Sequence, residues 1–332
     1  MDKLIQEAIK TSEAMKKHIV PWKATEISPQ LFHQFDVSKK TWHSLSPEKT
    51  KQHHQEDMSI SKLALYSWNI DFMLPFAKPR MDAALDQLEN LTRSQPVDTA
   101  VVIFLQECLA SDLTNISEKT WVRERFYITD IDTTNWSSGY YGTTTLVDRR
   151  LAISSCFRVH SEKTRMDRDG AFVDLLMGSK QDKVIRLCNT HLESLALEPP
   201  FRPLQMELVA KYMHQVYGAA AAGDFNAIQP FDRTLHVDNN LKDAYLELGG
   251  KEDSEEGYTW GQQATTEQRQ RFGCSRMDKV YFCGGLNLKK FARFGVDIQL
   301  TDESEREQIL TLGFEKPWIT DHLGIAAEFE VS

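Results

Sequence analysis

One short segment decides the fold: residues 219–226 read AAAAGDFN. The four alanines predict a buried strand, and the glycine after them predicts a turn. Asp224 and Asn226 follow at the end of this strand. Strand ends are where a sheet can hold polar side chains rigidly beside an open loop, so the segment predicts a sheet with a polar site at its end.

Five further polar clusters end strand-like apolar segments elsewhere in the chain. They are Ser67-Trp68-Asn69, Gln106-Glu107, NTHLES at residues 189–194, SRMD at 275–278 and TDHLG at 320–324. Each cluster alone is consistent with a turn, a cap or a surface ion pair. Together they predict one shared site, because burying charged and amide groups at several strand ends is costly without a common purpose.

The regular elements predicted from hydrophobic periodicity alternate along the chain. Strands are expected at residues 63–70, 100–105, 143–147, 151–155, 171–177, 184–189, 219–222, 277–282 and 325–331. Helices are expected at residues 80–91 and 203–216, and loops at 251–275 and 301–308. Many strands and few helices predict packed sheets with helices outside them.

Residues 1–60 differ from the remainder of the chain. Residues 1–19 have the spacing of an amphipathic helix, and a polar run at residues 48–57 follows a stretch with three prolines. We therefore expect an N-terminal extension and linker over residues 1–60 and a catalytic domain over residues 61–332.

The composition limits the classes of function. Hydrophobic residues make up 41% of the chain and its net charge is −9. A general basic surface for nucleic acid is thus excluded, and phosphate binding would need a local site or a bound cation. No apolar run approaches the ~20 residues of a membrane span. The N-terminus lacks a signal-peptide core and the five cysteines are scattered, so we expect an intracellular protein, nuclear or cytoplasmic.

The order of the six clusters resembles the endonuclease/exonuclease/phosphatase superfamily. Its members show a strand-end Asn, a Gln-Glu, a His-containing strand end, Gly-Asp-x-Asn, Arg-x-Asp and a terminal Ser-Asp-His, where this chain has Thr320 in place of Ser. The resemblance implies an α/β fold: a four-layer sandwich of two packed mixed β-sheets with flanking helices, similar to deoxyribonuclease I. It also implies a Mg²⁺-dependent phosphodiesterase, in which Mn²⁺ could substitute.

The residue types suit this chemistry. Mg²⁺ prefers oxygen ligands and keeps several waters, so we expect Glu107 to bind it, with Asn69 and Asp321 alongside. The catalytic candidates would align and deprotonate a water, hold it, and donate hydrogen bonds to the phosphate. Asp224 is the candidate general base, and Asn226 would hold the water. His191 and His322 would donate to the phosphate, Asp278 would orient His322, and Tyr140 would reach the phosphate.

Within the superfamily, residues 68–71, 191–194 and 258–260 are most similar to 5′-tyrosyl-DNA phosphodiesterases, the tyrosyl-DNA phosphodiesterase 2-like enzymes. This implies DNA repair at DNA 5′ ends, with Trp260 stacking on the substrate and Arg202 binding it. Phe225, at the variable position of Gly-Asp-x-Asn, makes that motif more similar to the motif of general deoxyribonucleases. The alternatives are therefore an abasic-site, DNA or RNA nuclease, a phospholipid or inositol-phosphate phosphatase and, from another class, a non-catalytic binding protein.

Overall fold

The computed structural model describes residues 20–47, 60–178 and 182–332. Within these ranges the chain forms two mixed β-sheets that pack face to face, with helices on their outer faces. The four-layer sandwich predicted from the sequence is therefore confirmed.

Apart from one short strand, the first sheet consists of strands between residues 152 and 284. Its strands, in spatial order, are β1 (Ile27–Pro29), β8 (Ala152–His160), β9 (Asp169–Met177), β10 (Lys183–His191), β11 (Gly218–Asp224), β13 (Asp278–Gly284) and β12 (Lys242–Asp243). The predicted alanine strand is β11, parallel to β10 and antiparallel to β13. Ala220 and Ala222 face the core between the sheets, whereas Ala219 and Ala221 face the outer helix. Burial on both faces explains why the strand has no polar alternation.

The second sheet combines the chain's two ends. Its strands, in spatial order, are β14 (Leu286–Phe294), β15 (Gly324–Val331), β4 (Lys62–Asn69), β5 (Thr99–Leu109), β7 (Tyr141–Asp148), β6 (Phe126–Ile128), β2 (Phe32–Asp36) and β3 (Thr41–Leu45). The central pair, β4 and β5, is parallel, so their polar ends lie at the same edge.

Helices cover the outer faces. Among the described residues they are α1 (Ala77–Arg93), α2 (Ala110–Glu118), α3 (Thr120–Arg125), α4 (Arg202–Met213), α5 (Leu235–Asp238), α6 (Ala244–Glu247), α7 (Thr266–Phe272) and α8 (Glu303–Thr311). Met81, Leu85 and Leu88 of α1 pack with apolar residues on the outer face of the second sheet, and α4 covers the first sheet. Each fully buried side chain of this size contributes ~1.5–3 kcal/mol, which fixes the strands whose ends carry the polar clusters. No helix in the described ranges is long and apolar enough to cross a bilayer.

Two sequence predictions about organisation need correction: the boundary of the N-terminal extension and the assignment of two stretches as loops. Residues 27–45, assigned to the extension, form β1, β2 and β3, and Phe32 is fully buried in the core between the sheets. The predicted boundary at residue 60 therefore divides paired strands. The stretches predicted as loops at 251–275 and 301–308 contain α7 and most of α8. The predicted N-terminal helix at residues 1–19 and the polar run at 48–57 lie outside the described residues.

Candidate active site

The strand register places three candidate residues in one row. His191 at the end of β10 is the partner of Asp224 in β11, and Asp224 is the partner of Asp278 in β13. Gly223 lies within β11 rather than in the predicted turn, its φ is 151°, and its position leaves no room for a Cβ, which would lie 1.7 Å from the Thr190 carbonyl oxygen. The Gly-Asp order of the motif is thus a steric requirement.

The second sheet contributes two residues from the opposite layer. Asn69 ends β4, and its side-chain amide donates to Asp224 Oδ2 at 3.0 Å. Glu107 lies where β5 is bulged against β7, and its φ of 58° turns it out of the regular strand. Its Oε2 accepts a hydrogen bond from the Phe72 backbone at 3.0 Å, and its Oε1 lies 3.7 Å from His191 Nε2. An unusual backbone held by its surroundings is common at functional sites.

His191 is held as a neutral hydrogen-bond donor. Arg168 Nη1 lies 2.8 Å from His191 Nδ1, and a guanidinium can only donate, so Nδ1 accepts and Nε2 carries the proton. Burial, together with the charge of Arg168, lowers the pKa of His191. Nε2 is buried without a hydrogen-bond partner among the described residues and lies 3.4 Å from Asp224 Oδ2. This N–H is therefore available to an oxygen atom of a ligand.

His322 is held as a cation. Its Nδ1 lies 2.8 Å from Asp278 Oδ2, and its Nε2 lies 3.7 Å from Asp224 Oδ2. Burial alone would lower the pKa of His322, but the carboxylates of Asp278, Asp224 and Asp321 outweigh it and hold the pKa well above its ordinary value. Burial raises the pKa of Asp224, yet the charge of His322 reverses the shift, so Asp224 stays ionised.

Backbone contacts join the His322 segment to β4. Thr320 Oγ1 donates to the Asn69 carbonyl oxygen at 2.9 Å and accepts from the His322 backbone N–H at 3.2 Å. Both bonds use the hydroxyl group, which Thr and Ser have in common. Trp68 Nε1 donates to the His322 carbonyl oxygen at 3.1 Å. The terminal cluster and the first cluster are therefore one unit.

Carboxylates crowd the side of the site formed by β4 and β5. Burial, with the negative charges of Asp321 and Glu107, raises the pKa of Asp71 to about 8. Burial also raises the pKa of Asp321, although His322 opposes the shift. A nearby cation would relieve this repulsion, and the oxygen donors of Glu107, Asn69 and Asp321 suit a hard divalent ion.

Two candidate metal-binding groups have ligand atoms within 4.8 Å of one another: Glu107 with His191 and Asp224, and Asp224 with Asp278 and His322. His191 is a poor ligand here, because its Nδ1 accepts from Arg168 and its Nε2 therefore carries a proton. The residues therefore fit a divalent ion that the oxygen atoms hold.

Three predicted residues have surroundings that differ from expectation. Asn226 lies at the site, where its backbone N–H donates to Asp224 Oδ1 at 2.8 Å and its side-chain amide donates to the Leu192 carbonyl oxygen. Trp260 is only 9% exposed and its indole donates to Asp321 Oδ2 at 2.7 Å, so it orients Asp321 and offers little ring surface for stacking. Tyr140 is 47% exposed and contacts Phe72 edge to face.

Arg202, which the sequence predicted to bind substrate, has surroundings that indicate a structural role. Its side chain is buried and forms a two-point ion pair with Asp232, at 2.8 Å for both contacts. It also donates to the carbonyl oxygens of Glu193 and Leu195 at 3.0 and 2.8 Å. Arg202 therefore fixes the loop that follows β10.

Replacing Arg202 with alanine is expected to lower the free energy of unfolding by ~3–5 kcal/mol, because Asp232 would keep a buried charge without a cationic partner. The salt dependence of substrate binding should not change. Urea unfolding and KM measured at several salt concentrations check this. The matched control is Arg233→Ala, whose pair with Asp253 is exposed and worth ~0–1 kcal/mol. A large change in the salt dependence for Arg202→Ala alone would contradict the structural role.

Sequence reasoning missed Arg168, Asp71 and Arg80. Arg80 is buried and its guanidinium donates to five backbone carbonyls, which fixes the loop after Asn69. Arg80 lies inside an amphipathic helix pattern where a charged residue is ordinarily on the solvent side. Arg168 lies in a polar loop before β9. Of the three, only Asp71 could have been predicted as a site residue from its sequence neighbours, because it lies next to the Trp68-Asn69 cluster.

The fold, together with this set of carboxylate, amide and imidazole groups, indicates the class of phosphoric-ester hydrolases. The chain belongs to the endonuclease/exonuclease/phosphatase family, whose sequence profile matches residues 66–322. In a comparison with curated protein sequences, no significant match was found.

Solved structures with a similar fold include two TDP2 proteins. The chain is 23% identical to truncated Caenorhabditis elegans TDP2, with a TM-score of 0.61, covering 83% of this chain and 100% of that one. It is 18% identical to D. rerio TDP2 complexed with a single strand DNA product, with a TM-score of 0.61, covering 82% and 100%. An endonuclease/exonuclease/phosphatase from Bacteroides vulgatus is 13% identical, with a TM-score of 0.56 and coverage of 82% and 100%. At these identities the likeness is one of fold.

Proposed function

We propose that this protein is a Mg²⁺-dependent phosphodiesterase that hydrolyses a phosphodiester bond at DNA 5′ ends. One observation carries the proposal: Asp224 Oδ2 has Asn69 Nδ2, His191 Nε2 and His322 Nε2 around it, at 3.0, 3.4 and 3.7 Å. Groups from both sheets thus converge on one ionised carboxylate.

The proposed chemistry follows from the charge of each group. Asp224 is ionised and can align a water and take its proton. The Nε2–H groups of His191 and cationic His322 can donate to phosphate oxygens as negative charge develops on them. Asp278 keeps His322 charged and fixes its orientation through Nδ1.

Glu107, Asn69 and Asp321 would hold the Mg²⁺, which would neutralise phosphate charge and assist the leaving oxygen. Trp260 and the Phe72 backbone N–H would orient two of these residues, since they donate to Asp321 and Glu107 respectively. Such fixed partners limit the number of ways in which the oxygens can face an ion.

Three observations support a DNA end as the substrate. The D. rerio TDP2 structure with a similar fold holds a single strand DNA product. The residues of this chain that resemble the tyrosyl-DNA enzymes, 68–71 and 191–194, are adjacent in the structure through Asn69, Asp224 and His191. The net charge of −9 favours a substrate end held locally over a long duplex gripped by a basic surface.

Parallel assays of the purified protein with Mg²⁺ test the proposal. The substrates are a 5′-phosphotyrosyl oligonucleotide, an abasic duplex, plain single strands and a phosphoinositide. We expect the highest kcat/KM on the 5′-phosphotyrosyl end and loss of activity with a chelator. A higher kcat/KM on the phosphoinositide would reject the DNA-end proposal and retain the hydrolase class, whereas full activity with the chelator would reject the metal dependence.

A further inference from the structure

The loop after β4 carries apolar side chains close to the candidate active site. Phe72 is partly exposed, Met73 is 76% exposed, and Tyr140, from the segment before β7, is 47% exposed. Single exposed apolar side chains are common on protein surfaces, but these three are neighbours. Met73 follows Phe72 in the chain, and the rings of Phe72 and Tyr140 meet edge to face, with their centroids 5.9 Å apart. We call Phe72, Met73 and Tyr140 the apolar lip.

Hydrogen bonds fix the backbone of this loop. The Asp71 N–H donates to Asn69 Oδ1 at 2.9 Å, and the Met73 N–H donates to Asp71 Oδ1 at 3.0 Å. Arg80 donates to four carbonyl oxygens within residues 70–75. Side chains on such a rigid loop can distinguish one ligand from another, because their backbone does not move to accommodate either.

The ring of Phe72 belongs to a stack that reaches the catalytic groups. It lies parallel to the ring of Tyr141, with the centroids 4.2 Å apart and an interplanar angle of 4°. The guanidinium carbon of Arg168 lies 5.7 Å from the centroid of the Tyr141 ring, and Arg168 Nη1 lies 2.8 Å from His191 Nδ1. Because Tyr141 covers one face of the Phe72 ring, a ligand can meet only the other face or the edge.

The attack on phosphorus would direct the leaving group toward the apolar lip. In an in-line displacement the leaving oxygen lies on the far side of phosphorus from the attacking water. Asp224, which would align that water, ends a strand of the first sheet, whereas the lip follows β4 and precedes β7 of the second sheet. Glu107, also from the second sheet, accepts the Phe72 backbone N–H at 3.0 Å. The leaving group of a substrate held between the sheets would therefore lie against the lip.

We propose that the apolar lip binds the ring of an aryl leaving group, such as the phenol ring of a tyrosyl residue, and makes the site selective for aryl over alkyl phosphodiesters. This inference rests on the proposed function and deepens it. An aryl ring can stack on Phe72 and contact the thioether of Met73, and both contacts are favourable. The ring is uncharged, so the carboxylates of Asp71 and Glu107 do not repel it. A terminal base of the DNA is the competing occupant, and the two substrates below separate it from the leaving group.

Two oligonucleotides of the same sequence test the selectivity. One has a 5′-phosphotyrosyl end, and the other has a 5′-phosphate esterified with hexafluoroisopropanol, an alcohol of similar acidity to a phenol but without a ring. Phe72→Leu keeps an apolar side chain and the backbone N–H that Glu107 accepts. This variant should lower kcat/KM on the tyrosyl end about 2–10-fold and leave kcat/KM on the alkyl end unchanged, because only the aryl ring loses a stacking partner.

Phe272→Leu is the matched control. Phe272 is also an exposed phenylalanine, at 55%, and its ring lies 6.5 Å from the ring of Trp260, on another side of the site. This variant should leave the ratio of the two kcat/KM values at that of the parent protein. Equal losses on both ends for Phe72→Leu would mean that the ring holds the base or the fold instead, and the proposal would be rejected. An equal change in the ratio for Phe272→Leu would reject it as well.

A binding measurement separates this inference from the proposed function. The chain has ten methionines, and in protein labelled with ¹³C at the methionine methyl groups Met73→Leu assigns the Met73 signal. With Mg²⁺ present, phenylphosphonate should shift that signal through the ring current of its aryl group, whereas methylphosphonate should leave it in place. If the parent protein cleaves neither DNA end while phenylphosphonate still shifts Met73, the DNA-end function fails and the aryl site stands. A Met73 signal that does not respond to phenylphosphonate would overturn the aryl site whether or not the tyrosyl end is cleaved.

Discussion

Replacing Asp224 with asparagine is expected to lower kcat by about 10²–10⁴-fold, the range for removal of a general base. The amide oxygen of the new side chain could still accept the Asn226 backbone N–H, which Asp224 Oδ1 accepts at 2.8 Å. The new NH₂ group would then take the place of Oδ2, which faces the donors of Asn69 and His191. The donors of Asn69, His191 and His322 would then face another donor in place of an acceptor, so a water could be neither deprotonated nor aligned.

The control for Asp224→Asn is Asp232→Asn. Asp232 is also a buried aspartate in the segment after β11, but it pairs with Arg202 away from the constellation. Both variants should lose stability, and only Asp224→Asn should lose kcat at a temperature where both remain folded. Comparable kcat values for the two variants, with circular dichroism showing folded protein, would remove Asp224 from the reaction.

The sequence predicted the central sheet strands well because they are buried on both faces. The apolar runs in β4, β5, β10 and β11 each end in a polar cluster, and the parallel pairing of β4 with β5 and of β10 with β11 brings these ends together. Eight of the predicted site residues are Asn69, Glu107, His191, Asp224, Asn226, Asp278, Asp321 and His322, and the structure places all of them in one constellation. Because the sheet is rigid, the position of a site residue can be predicted once its strand and its place at the strand end are known.

Edge strands and buried arginines could not be predicted in the same way. β2 and β3 each have partly or fully exposed positions, so their apolar signal is weak, and β6, which pairs with β2, lies far along the chain. Arg202 and Arg80 are buried only because carbonyl or carboxylate oxygens from other segments surround them. No local pattern distinguishes such an arginine from a solvated one, so the sequence could not show that Arg202 is structural.

His322→Ala should lower kcat to an extent similar to Asp224→Asn, since it removes the cation that would donate to the phosphate. It should also destabilise the protein, because Asp278 is buried and would lose the partner 2.8 Å away. Breaking a buried ion pair from one side commonly costs ~3–5 kcal/mol. The loss of stability and the loss of kcat thus have different causes, and a second substitution can separate them.

Adding Asp278→Asn to His322→Ala is expected to restore part of the stability and to leave kcat at the value of the single His322→Ala variant. The amide removes the unpaired buried charge but cannot replace the missing imidazole. Asp278→Asn alone should lower kcat, because His322 would lose the carboxylate that holds its charge and would keep only a neutral amide oxygen as the acceptor for Nδ1. A double-mutant cycle on kcat and on the free energy of unfolding measures both couplings. Strictly additive losses in kcat would mean that Asp278 acts on the reaction without His322, and the pairing at the centre of the site would then have no catalytic role.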